Sequence, residues 1–115
     1  MSKVSIASAE HYAWGNTCDG WFLLEGDDLT VIEERVPPGM AEIRHRHAAA
    51  RQFFYVLLGE ATLEVDGEIH VLGPGEGLHV QPGAAHQLRN AGNTDTRFLV
   101  VSSPDSHGDR SEAPA

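Results

Sequence analysis

Residues 39–59 read GMAEIRHRHAAARQFFYVLLG, and the reading of this stretch decides the fold. His45 and His47 stand at i and i+2. On a strand such a pair points the same way, with Cα atoms ~6–7 Å apart. That is a workable bite for one metal ion. The small residues Ala48, Ala49 and Ala50 follow, and a turn there folds Gln52 back beside the two histidines. The segment Gln52–Leu58 is apolar on both faces: Phe54, Val56 and Leu58 share a side with Gln52, while Phe53, Tyr55 and Leu57 share the other. A strand apolar on both faces is covered on both. In so short a chain the expected second cover is another subunit, which makes a homodimer. The alternative cover is the N-terminal segment, which holds Tyr12, Trp14, Trp21 and Phe22.

Short strands extend outward from this stretch. Leu29–Val36, Ala41–His47, Gln52–Leu58, Ala61–Val65, Glu68–Leu72, Gly77–Val80, His86–Arg89 and Arg97–Ser102 carry β-branched and aromatic residues between turn signals. Asp66-Gly67, set between Leu63/Val65 and Ile69/Val71, predicts a tight hairpin. No stretch of ten residues has a convincing 3.6 period, so the pattern predicts an all-β sandwich or barrel. A further histidine, His86, opens a strand within residues 75–90, GEGLHVQPGAAHQLRN. Residues 1–10 carry weak signals and form a loose segment; residues 11–102 form the domain. Residues 103–115 lack large apolar side chains and are expected to be a disordered tail.

Composition narrows the function classes. The 115 residues carry a formal charge of −9, which disfavours nucleic acid and anionic membrane surfaces. No apolar run approaches the ~18 residues of a transmembrane span, and the N-terminus lacks a signal-peptide layout, so a cytoplasmic location is expected. The single cysteine, Cys18, excludes an intrachain disulfide and a thiolate zinc cluster. Seven histidines are many for this length.

The two motifs together resemble the cupin superfamily. Its first motif is G-x5-H-x-H-x3,4-E-x6-G; Gly39, His45, His47, Gln52 and Gly59 match its spacing. Its second is G-x5-P-x-G-x2-H-x3-N; Gly75, Gly83, His86 and Asn90 match in register. The chain departs at Gln52, where the motif has Glu, and at Gln81, where it has Pro. The resemblance implies a small cupin β-barrel, a double-stranded β-helix or jelly roll. It also implies that His45, His47, Gln52 and His86 are the metal ligands. Gln in place of Glu leaves the donor set neutral, so a bound ion keeps its full +2 charge and is the stronger Lewis acid. Imidazole-rich sets suit Zn, Fe, Ni, Mn or Cu, without choosing among them.

The remaining polar residues are weighed by strand parity. His79 is expected to face outward, and His11, His70 and His107 are read as bystanders. Cys18 is read as a small packing residue. Between residues 35 and 51, Arg35, Arg44, Arg46 and Arg51 stand against Glu42 alone. Arg44 and Arg46 alternate with the histidines and so face away from the metal, towards ion pairs with Glu33, Glu34 or a second subunit. Whichever of Glu33 and Glu34 faces inward is the candidate carboxylate of the barrel, and Trp14, Trp21 and Tyr55 are candidate pocket walls. The expected function is metal-dependent isomerase, lyase or cyclase chemistry on a small oxygenated molecule. A dioxygenase and a non-enzymatic cupin that binds a small ligand or metal are the alternatives.

Overall fold

The computed structural model describes residues 1–114. They contain eleven strands and no helix. These are β1 (Glu10–Trp14), β2 (Cys18–Glu25), β3 (Thr30–Val36), β4 (His45–Arg46), β5 (Arg51–Leu58), β6 (Ala61–Val65), β7 (Glu68–Leu72), β8 (Gly77–Val80), β9 (His86–Arg89), β10 (Thr96–Ser103) and β11 (Ser111–Glu112). Six form one antiparallel sheet in the order β1-β2-β3-β10-β5-β8; five form the other in the order β11-β4-β9-β6-β7. This is the expected all-β architecture, two antiparallel sheets.

Alternation builds the interior. Along β10, Thr96, Phe98, Val100 and Ser102 are buried while the residues between them are half-exposed. Phe98, Phe54, Val56, Leu63, Leu88 and Val36 form the centre of one apolar cluster. Removing the Phe98 ring there would cost about 3–5 kcal/mol. The β6–β7 hairpin forms at the expected turn, where Asp66 and Gly67 take φ of +48° and +90°.

Three expectations need correction. The strand expected at Ala41–His47 shrinks to His45–Arg46, with Ala41 making an isolated bridge to Arg89. Glu42 instead spends its main-chain N–H on Leu88 O at 3.1 Å, outside any regular strand. The loose-end reading of the N-terminal side stops at residue 9: β1 and β2 extend the large sheet beyond β3. They therefore do not cover the outer face of β5, where Phe53 and Leu57 are each 42% exposed. The segment expected to be a disordered tail folds back on the barrel. β11 pairs with β4, and Ala113 is 4% exposed, its N–H bonded to Arg44 O at 3.0 Å. Hydrogen bonds to a distant loop, not large apolar side chains, hold this segment, and composition carries no sign of them.

Candidate metal centre

β4 and β9 lie side by side with His45 directly opposite His86. His47 follows one residue past β4, with its ring 4.9 Å from that of His45. One ligating nitrogen from each of the three lies within 4.8 Å of the others, so the group is placed to hold a metal ion. All three side chains are buried.

The main chain fixes which nitrogen is free. His45 Nδ1 bonds to Ile43 O at 2.7 Å and His86 Nδ1 to Ala84 O at 3.0 Å. His47 Nδ1 bonds to Asp109 O. A carbonyl can only accept, so each Nδ1 carries the proton and each Nε2 is left with its lone pair. Burial pushes the imidazoles down, His45 to about 3 and His47 and His86 in the same direction. They are therefore neutral at ordinary pH, which is the ligating form.

Gln52 sits at the start of β5, 7% exposed. Its Nε2 donates to Ser102 Oγ at 3.0 Å, which leaves Oε1 without a partner. His86 Nε2 is also buried and unpartnered. An unsatisfied buried acceptor costs about 1–3 kcal/mol. Two lone pairs, with no protein donor at either, fit an ion that would accept them.

A cavity of about 460 Å³ holds His45, His47 and Gln52 in its lining. Phe22, Ile32, Phe54 and Val100 supply apolar wall. Two carboxylates, Glu34 and Glu42, line the same space. Parity resolves the earlier choice: Glu34 faces inward, while Glu33 faces outward and pairs with Arg97 at 2.6 Å. Tyr12, Gly20 and Glu34 are in register across β1, β2 and β3. Tyr12 Oη reaches over Gly20 and donates to Glu34 Oε2 at 2.5 Å. An added Cβ at Gly20 would lie 2.1 Å from Tyr12 Cζ, so only glycine permits this crossing. Glu42 Oε1 accepts the Leu88 N–H at 2.9 Å. Burial pushes Glu34 up to about 7; burial and then the Glu34 charge push Glu42 up to about 8.

Other expected wall residues lie elsewhere. Trp14 packs on the core cluster and Trp21 lies under the Arg97 guanidinium on the outer face; Tyr12 and Phe22 line the cavity instead. Tyr55 is 36% exposed on the outer face. Glu42 and Tyr12 were missed as site residues. Arg44 pairs with Glu64 at 2.6 Å and Arg35 with Asp19 at 2.6 Å. His79 is exposed, as parity required. His107, read as a bystander, lines the cavity mouth with Arg110 but is not one of the three grouped imidazoles.

Comparison with known proteins agrees with this architecture. A family model described as "Cupin domain" matches residues 32–102. An oxalate-binding protein of Thermotoga maritima is 33% identical over 67 residues, 58% of this chain. That match spans about half of the relative, 55% of its length. Among solved structures, the polyketide cyclase RemF of Streptomyces resistomycificus superposes with TM-score 0.85 at 21% identity, covering 100% of this chain and 87% of RemF. KdgF of a Halomonas species superposes with TM-score 0.83 at 19% identity, covering 91% of this chain and 94% of KdgF. At these identities the superpositions speak for the fold.

Proposed function

The chain belongs to the cupin domain family, and from that premise we propose that it is a metal-dependent enzyme. Its reaction moves a proton on a small oxygenated substrate, as isomerases, lyases and cyclases do. The observation that carries this reading is the presence of two half-buried carboxylates, Glu34 and Glu42, in the cavity lined by His45 and His47. An apolar ligand would leave two such groups without a partner, and withdrawing them even partly from water is costly.

His45, His47, His86 and, through its free Oε1, Gln52 would hold a divalent ion. Bound there, the ion would supply Lewis-acid polarisation of a substrate oxygen. The Gln52 amide adds no charge to the set. Glu34 is the proton-transfer group: it titrates near neutrality and is oriented by the Tyr12 hydroxyl. Glu42, pushed up by burial first and by the Glu34 charge next, keeps its own proton at neutral pH. Arg110 lines the mouth and makes one long bond, to Ile43 O at 3.3 Å, which leaves it available to an anionic substrate group. Phe22, Phe54, Ile32 and Val100 keep water from the reacting atoms.

The names of the relatives, an oxalate-binding protein and a polyketide cyclase among them, are consistent with a small, oxygen-rich substrate. The test is turnover by metal-loaded protein on a panel of β-diketones, keto-sugars and hydroxy acids, with dissolved O₂ monitored. Conversion without O₂ uptake is expected. Oxygen consumption would turn the reading to a dioxygenase; binding without conversion would turn it to a ligand-binding cupin. The exposed Phe53, Tyr55 and Leu57 face is assigned to a second copy of the chain. Sedimentation should show a dimer that Phe53→Asp dissociates.

A further inference from the structure

The segment that follows β10 reaches the imidazole group through Asp109. Its main-chain carbonyl accepts the proton on His47 Nδ1. Its carboxylate takes three consecutive amides: Ala48 N–H at 2.9 Å on Oδ1, and Ala49 and Ala50 N–H, each at 2.9 Å, on Oδ2. Those amides belong to the turn that joins His47 to Gln52. One residue thus grips a histidine and the turn between that histidine and the glutamine. Beyond it, Ser111 and Glu112 pair with Arg46 and His45, so the segment is anchored on its far side as well.

Resting on the metal-centre reading, we propose that Asp109 is a positioning residue for that centre. Its side chain fixes the Ala48–Ala50 turn and, by fixing residue 109 itself, keeps its carbonyl on His47 Nδ1. His47 is thereby held as the tautomer with a free Nε2, and Gln52 is held at a set distance from it. The residue touches no substrate. Partners that orient a metal-bound histidine through its second nitrogen typically contribute 10–100-fold in metal affinity. Unlike Ile43 and Ala84, which serve His45 and His86 from two residues away, Asp109 is 62 residues from its histidine. Its position depends on its own side chain, so a side-chain substitution can remove a main-chain hydrogen bond.

The experiment measures Zn²⁺ affinity by chelator competition on full-length wild type, Asp109→Ala, Asp109→Asn and His86→Ala. Imidazole ¹⁵N spectra of the metal-free proteins report the His47 tautomer. Asp109→Ala should weaken Zn²⁺ about 10–100-fold and reduce the Nδ1-protonated population of His47 while leaving those of His45 and His86. A merely structural role would not confine the spectral change to one ring. Asp109→Asn keeps the volume and one acceptor and should fall between; it carries the test should the alanine variant not fold. Wild-type affinity and an unchanged His47 signal in both Asp109 variants would overturn the proposal alone, provided His86→Ala loses Zn²⁺. Wild-type affinity in His86→Ala would overturn the metal centre itself and Asp109 with it.

Discussion

The two sides of the cavity are built on opposite principles. On the β4–β9 side, each imidazole has its second nitrogen tied to a main-chain carbonyl, and burial strips its charge. On the β1–β3 side, Glu34 is held by one phenol; Glu42, which faces the same space from the segment bonded to β9, is held by one amide, and burial pushes both up into the neutral range. The first side is fixed in one protonation state across the working pH range. The second changes state within it. A site that must hold an ion and also pass a proton needs both behaviours, kept on separate residues.

The largest effect comes from breaking the fixed side. His45→Ala should abolish bound metal by elemental analysis, and turnover with it; full metal content in this variant would remove the distinction between the two sides. Next comes the labile side. Glu34→Gln should lower turnover by roughly 10²–10⁴-fold, the usual contribution of a positioned acid or base, while metal content stays at the wild-type level. Loss of both together would mean that Glu34 supports the ion and not the proton.

Stability against pH separates the sides further. Glu42 has its folded pKa raised from 4.5 to about 8 by burial first and by Glu34 next, against the Leu88 amide and Arg110. The folded state therefore holds its proton more tightly than the unfolded state. The stability this gives is full below pH 4.5 and is lost as pH rises towards 8. Glu42→Gln keeps the neutral shape, so its urea midpoint relative to metal-free wild type should rise between pH 5 and pH 8. The buried histidines act with the opposite sign, but they are common to both proteins and cancel in the difference. A constant gap across this range would show that Glu42 is not buried as a titrating group. The smallest effect is expected at Gln52. Its neutral oxygen is the weakest donor of the set, so Gln52→Ala should cost about tenfold in metal affinity, less than any of the three histidines.

Much of the fixed side was legible in the sequence. Strand period, which acts locally, put His45 and His47 on one face; it was the resemblance to the two cupin motifs, not local pattern, that joined His86 to them. Alternation alone also separated Glu34 from Glu33 once the inward face of β3 was known. The labile side was only half legible. Glu42 lies in an irregular segment, where no period tells which way a side chain points. Tyr12 enters the cavity only because β1 pairs with β2 in a register that places it across from Gly20. The C-terminal segment was misread for a related reason. Asp109 and Ala113 are held by partners about 60–70 residues away, and such contacts leave no trace in local composition.

Gly20 has a consequence for how this cavity can change. It carries no side chain, yet the hydrogen that stands in place of a Cβ decides whether the Tyr12 ring can lie across β2. A Gly20→Ala exchange would evict that ring, take the hydroxyl from Glu34 and remodel one wall of the chamber in a single step. Position 20 is therefore a point where one added carbon would reshape the cavity wall while leaving the three grouped imidazoles unchanged.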